Sequence, residues 1–286
     1  MKRLLLISIV AFFAVFLCSC EKREKIRGEG RSFTQEVNIN LRNISEIEVN
    51  SNIDVEIVPI NPSEIPQAEI TAQHNIMNLI VLKTIGNTLK ISFVQDVRVI
   101  PTDDTKVTLF MPYIRSIKTN SSGDIYCFNG YLLNSMVNVE VNSSGNIHLL
   151  GMQCNELLLK INGSGKIFAE NISCATLDTY VRSSGRINVE NFDAHKVYSH
   201  VSGSGSIFYR RGRCLIHNVT NEGSGSVDAY DLFAENVSVE SRGSGNIYVF
   251  ASNILEAFMY GSGNLYFRGN PRVYKNIYGS GDVFWG

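Results

Sequence analysis

A Ser-Gly step recurs through the second half of the chain with its glycine at Gly123, Gly145, Gly165, Gly185, Gly205, Gly225, Gly245, Gly263 and Gly281, so the spacing is 22 residues, then 20 five times, then 18 twice. A fixed period of this length is the mark of a repeat architecture, and it governs how every residue inside it is read. Two residues after each glycine stand Ile125, Ile147, Ile167, Ile187, Ile207, Val227, Ile247, Leu265 and Val283. Four residues after stand Cys127, Leu149, Ala169, Val189, Tyr209, Ala229, Val249, Phe267 and Trp285. Apolar residues at both offsets alternate as a strand does, so both columns are expected to point inward. A second alternating run follows in each repeat, as in Leu157-Leu159-Ile161 and Val237-Val239, which makes each repeat two short strands and two turns.

One such unit leaves half of its apolar surface wet. Stacking copies at about 4.8 Å gives every backbone group a partner above and below and merges the inward columns into one core. The expected fold class is therefore all-β, a parallel β-helix (solenoid) with coils of about 20 residues, and the eight steps from Gly123 to Gly281 make a rod of about 38 Å. The recurring glycine is expected to supply a corner with φ > 0, and the serine hydroxyl to satisfy turn amides. Between Pro112 and Pro271 there is no proline, as strands bonded on both sides require.

Residues 33–118 are less regular. Asn43 to Ile57 still echoes Ile114 to Ile125, which assigns it to the same solenoid, while Pro59, Pro62 and Pro66 and the segment Ile100-Pro-Thr-Asp-Asp104 mark inserted loops. This part is expected to be a β-rich cap with the first coils, covering an end that would otherwise be an open edge; residues 119–286 are the β-helix repeats proper.

The first 20 residues stand apart. Lys2 and Arg3 precede an apolar run from Leu4 to Leu17, broken only by Ser8, and then Cys18-Ser19-Cys20. The run is short for a membrane span and reads as an export signal peptide. Its Leu-x-Ser-Cys ending resembles the lipobox of bacterial lipoproteins, which implies that Cys20 is acylated and becomes the mature N-terminus; Cys18, preceded by the bulky Leu17, fits that role poorly. Residues 21–32 carry eight charges and, beyond Ile26, nothing apolar, so a flexible tether is expected there. The chain would be held at a membrane by its N-terminal lipid.

The repeated steps Ser144-Gly-Asn-Ile147, Gly243-Ser-Gly-Asn-Ile247 and Gly261-Ser-Gly-Asn-Leu265 resemble the head domain of autotransporter-like adhesins known by its Gly-Ile-Asn motif, a domain common in lipoproteins of Bacteroidetes. The resemblance runs from about Phe33 to Gly286. It implies a β-helical fold and an adhesin-like role at the cell envelope, with outer-membrane lipoprotein as the expected localisation, facing either the surface or the periplasm.

Net charge is −1, from 26 basic and 27 acidic residues, so no overall field draws the chain to nucleic acid or to anionic lipid. Catalysis needs converging titratable groups, and the five histidines (His74, His148, His195, His200 and His217) form no His-Glu-x-x-His motif. His195 and His200 share a coil and read as turn or surface imidazoles. A uniform calcium ladder is excluded because the position after the glycine, which reads Asp124, Asn146, Lys166, Arg186, Ser206, Ser226, Asn246, Asn264 and Asp282, places lysine and arginine at equivalent corners; a single calcium site is the alternative. No catalytic residue, metal or cofactor is assigned. Cys154, Cys174 and Cys214 fall nine residues after their glycines, a column shared with Ala194 and Ala234, so they read as small core residues; a Cys154–Cys174 disulfide across adjacent rungs is the alternative.

The position three after the glycine, between the two inward columns, should face solvent. There Tyr126, Phe168, Phe208, Tyr248, Tyr266 and Phe284 are aromatic, beside His148, Asn188 and Asp228. Such a stripe is expected to be a contact surface for a glycan or protein, or simply to suit the strand. Tyr260, Tyr274, Tyr278 and Trp285 are expected to close a tapering core, and Arg210-Arg211-Gly212-Arg213 reads as a solvated corner. The leading reading is a non-enzymatic, lipid-anchored envelope protein that offers a rigid rod for adhesion. The alternative is a carbohydrate-active enzyme, a lyase or hydrolase, on the same scaffold, which would need acidic and basic side chains converging in one groove.

Overall fold

The computed structural model describes residues 24–128 and 131–286, the side chains of 131–135 excepted; the expected signal peptide, with Cys18 and Cys20, lies outside the described residues. From Ser116 onward the chain winds rather than folding back. Successive coils pair in parallel with a fixed offset, so that Ile147 lies beside Ile167, Ile167 beside Ile187 and Ile187 beside Ile207. Side chains one period apart therefore stack, and the column two residues after the glycines is buried from Ile125 through Val283. Nearly everything is strand; the one helix among the described residues is His74–Met77, which buries Ile76 and Met77.

Each full coil is a single 16-residue strand, as in Asn146–Ile161, Lys166–Val181, Arg186–Val201 and Ser206–Asn221, not two short strands. It bends at a corner where Gly151, Asn171, Asn191 and Arg211 take φ of 84°, 56°, 51° and 52°. Asparagine and glycine tolerate this left-handed region best, so the handed corner lies six residues after the Ser-Gly glycine. The bend creates a third face, paired through Met152–Ile172, Ile172–Phe192 and Phe192–Gly212.

The Ser-Gly glycines themselves lack positive φ, which corrects the reason expected for them. At each, stacking brings the backbone of the preceding rung into the space a Cβ would fill. A methyl on Gly225 would overlap the carbonyl oxygen of Gly205, and one on Gly245 that of Gly225. Close approach, not handedness, demands glycine there. The residue after the glycine then locks the rungs: Asp124 Oδ1 accepts the Asn146 amide at 2.9 Å, and Asn246 Oδ1 accepts that of Asn264 at 3.0 Å.

The N-terminal part joins the same stack in a different order. Glu46–Val49 and Asp54–Pro59 lie directly beneath Ser116–Thr119 and Ile125–Cys127, with Ile47 beside Ile117 and Val55 beside Ile125. The intervening chain passes below them: Thr88–Phe93 and Lys106–Met111 make the lowest rung. Antiparallel strands Gln67–Gln73, Ile80–Ile85 and Ser32–Val37 then cover that end.

The expected tether is corrected over its described part. Glu24–Arg27 is a strand paired in parallel with Val97–Ile100, and Ile26 packs against the core. The fully buried Gln73 holds the following turn, donating to the Gly30 carbonyl at 2.7 Å while its oxygen accepts the Thr102 amide at 3.0 Å. Charge density alone does not keep a segment loose when a sheet edge offers it backbone partners.

Candidate functional site

The position three after each glycine does form one column, because Tyr126, His148 and Phe168 occupy successive register positions, as do Tyr248, Tyr266 and Phe284. Its rings stack on each other. Tyr126 and His148 are 4.7 Å apart and 11° from parallel, His148 and Phe168 4.8 Å and 13°, Tyr248 and Tyr266 5.2 Å and 12°, Tyr266 and Phe284 5.5 Å and 26°. Phe208 is covered by the Arg186 guanidinium at 4.9 Å. The stripe expected to stand open is therefore half-buried up to Tyr266: the rung spacing of about 4.8 Å brings ring faces together. Burial pushes the His148 pKa down, against the pull of Asp124 and Glu170.

At the C-terminal end this changes. Trp285 is 75 % exposed, Tyr278 67 %, Tyr274 55 % and Phe284 43 %. These rings do not close the core, as sequence suggested for Tyr260, Tyr274, Tyr278 and Trp285; among the described residues Arg272–Ile277 and Val283–Trp285 pair with a rung on one side only, which leaves the outer ring faces of the columns uncovered. Tyr278 stacks on Tyr260 at 4.9 Å from one side only. The strand Arg272–Ile277 is exposed at every position.

A groove of about 550 Å³ opens on the third face, where Asp193, His195, Arg213 and Glu235 gather around exposed Leu215 and Phe233. It forms where the coil shortens: pairing slips between Ala229 and Phe233 and again before Asn236, so Phe233 lies against Phe250 at 4.2 Å. The change of repeat spacing from 20 to 18 residues was its sequence signal. All four of these side chains are exposed, unlike the dry, preorganised groups that acid–base chemistry uses. His195 lies on this face, and His200 on another, stacked on Tyr180 at 4.5 Å. Of the Arg-rich run, Arg210 reaches Asp228 and Asp231 and Arg211 pairs with Glu190 at the corner, while Arg213 faces the groove.

Other chemically suggestive groups are sealed in. Cys127, Cys154, Cys174 and Cys214 are free and buried, and Cys154 lies beside Cys174. Burial pushes the Cys174 thiol up to about 12, so none is a ready nucleophile. Inside the core, the Tyr209 hydroxyl meets Thr179 Oγ1 and Ser199 Oγ at 2.7 Å each, and Ser199 meets His217 Nε2 at 3.0 Å. Desolvation pulls His217 down to about 3. This Ser–His pair is closed to any substrate and serves to satisfy buried polar atoms; sequence reasoning missed it because only stacking brings the four together. Among the described residues no cluster of His, Cys, Asp or Glu could hold a metal, and no helix is long and apolar enough to cross a membrane.

The comparisons with known proteins agree with this architecture. A crystal structure of a putative lipid binding protein from Parabacteroides distasonis superimposes with a TM-score of 0.71 at 25 % identity, over 92 % of this chain and 100 % of the other. A putative adhesin from Parabacteroides merdae does so with 0.69 at 17 %, over 92 % and 99 %. A putative adhesin from Parabacteroides distasonis gives 0.66 at 20 %, over 92 % and 100 %. No curated protein sequence is matched by this chain. The family described as putative auto-transporter adhesin, head GIN domain, matches residues 43–210 and 169–271, and with most of its length so covered this chain belongs to that adhesin head-domain family.

Proposed function

We propose that this is a non-enzymatic, lipid-anchored protein of the cell envelope, a rod carried by Cys20 at one end that meets a glycan or protein partner with the other. The observation that carries this reading is the set of free ring faces at the C-terminal tip, on Tyr274, Tyr278, Phe284 and Trp285. Sugars and protein side chains stack on ring faces, and along the stripe those faces are already used. The adhesin titles of two similar structures support the class of function, and the lipid-binding title of a third fits an envelope setting.

The test is binding of the purified rod to glycan arrays and to cells. The double variant Trp285→Ala with Tyr278→Ser is expected to lose binding, and the stripe variant Tyr248→Ser with Tyr266→Ser to keep most of it. Binding unchanged in the first and lost in the second would return the contact site to the stripe. Metabolic labelling with palmitate, abolished by Cys20→Ser, tests the anchor.

The enzyme reading retains one favourable observation, the gathering of Asp193, His195, Arg213 and Glu235 in the third-face groove. Reducing-sugar release from polysaccharides, abolished by Glu235→Gln, would establish it.

A further inference from the structure

The capped end of the rod holds an arrangement that costs energy as it stands. In the antiparallel pair Ile80–Ile85 and Thr88–Phe93, Lys83 lies directly opposite Lys90. In the parallel pair Glu24–Arg27 and Val97–Ile100, Lys25 lies beside Arg98. Like charges side by side across strands are destabilising. Both pairs line one cleft of about 1370 Å³, whose floor includes Val81, Phe93 and Val97. Lys90 is compensated by Glu48 at 3.1 Å. Among the described residues no acid stands within ion-pair distance of Lys25, Lys83 or Arg98. Among the described residues Asp96 is the single acid in the lining. The even charge balance of the whole chain conceals this local excess.

From this geometry we infer that the cleft is a docking surface for the phosphate-bearing headgroups of an anionic lipid bilayer. Charge complementarity gives the sign. Position gives the occupant: the cleft borders the first described strand, and Lys25 is five residues from Cys20, a reach of roughly 17 Å when extended. An acyl chain at Cys20 would hold the cleft against the bilayer surface, where each Lys or Arg gains from the anionic headgroups. The cationic pairs would lose their mutual repulsion there, and the rod would stand with its capped end on the membrane and its aromatic tip away. That orientation, and the preference for a bilayer over other anions, rest on the proposed anchor; the cationic cleft itself does not.

The chain from residue 21 onward carries every described strand and the whole core, so it serves for the test without acylation. Its sedimentation with phosphatidylethanolamine vesicles is compared with and without phosphatidylglycerol. Binding is expected only with phosphatidylglycerol, weakening as salt rises, and Lys83→Gln and Arg98→Gln are each expected to lower affinity roughly fivefold. Arg272→Gln, at the opposite end, should leave it unchanged, and the denaturation midpoints of the cleft variants should hold or rise because a like-charge pair is relieved. Absence of binding to phosphatidylglycerol vesicles overturns the inference, as does an equal loss with Arg272→Gln. Displacement by inorganic phosphate beyond that by chloride at equal ionic strength also overturns it, since the cleft would then take a small free anion. Palmitate labelling of the full chain reports on the anchor separately, so failure of either reading is recognised without the other.

Discussion

Replacing Gly225 by alanine would set a methyl on the Gly205 carbonyl, and the rungs would have to part. A cost of about 1–3 kcal/mol, the range for overpacking a tight interior, is expected as a lower denaturant midpoint. Gly223 offers the comparison. Its column carries serine at Ser143 and Ser183, yet a Cβ at Gly223 would meet the Gly203 carbonyl just as one at Gly225 meets that of Gly205, so Gly223→Ser should cost about as much. The buried polar cluster gives a pH signature. His217 is held near 3, against 6.5 for an exposed imidazole, because nothing in the core compensates its charge. Between those values the unfolded chain binds a proton that the folded chain does not, so stability present above pH 6.5 falls as the pH drops toward 3. His217→Val, which matches Val197 and Val237 in its column, should flatten the loss between pH 7 and pH 4.5 in urea titrations. Tyr209→Phe removes the hydroxyl shared by Thr179 and Ser199 and should cost about 1–3 kcal/mol.

Within the solenoid the unit of stability is the rung, and its register is set by period. Deleting residues 146–165 joins Gly145 to Lys166 and restores every column, so a cooperative, all-β fold with a lower melting temperature is expected by circular dichroism. Deleting 146–155 displaces the following columns by half a coil and should leave no cooperative transition. The inward columns were legible at this level because isoleucine two residues after each glycine states both strand and burial. So was the kinship of 43–57 with 114–125. The third face was not read, although Gly151, Asn171 and Asn191 at its corner are residue types that tolerate positive φ, because Arg211 in the same column breaks the mark. Nor was the order of the first rungs. Ile47 meets Ile117 only because the chain between them goes below to build the cap, and a one-dimensional repeat cannot announce a detour. The aromatic column was legible as a column and misjudged as a surface, because whether a ring shows its face or its edge depends on what stands one rung away.

As a whole, the molecule is a rod with unlike ends. From Thr88–Phe93 to Arg272–Ile277 it climbs ten ladder steps, roughly 48 Å at about 4.8 Å each. One end is covered by antiparallel strands and holds the cationic cleft; the other carries rings that no described strand covers. If the rod stands on the outer face of the cell, protease shaving of intact cells should remove the tip epitope around Tyr278 and Trp285. Retention of that epitope until the envelope is broken would place the rod in the periplasm. By itself the sequence determined the winding: a 20-residue period with alternating apolar columns has one economical solution, in which every backbone group finds a partner in the next coil. The tertiary structure alone decided what the rod exposes. Stacking took the stripe's ring faces out of water, left them free at the last rung, and set lysine beside lysine and arginine at the cap, because exposure and charge proximity depend on neighbours from the next rung or a distant strand, which the order of residues along the chain does not record.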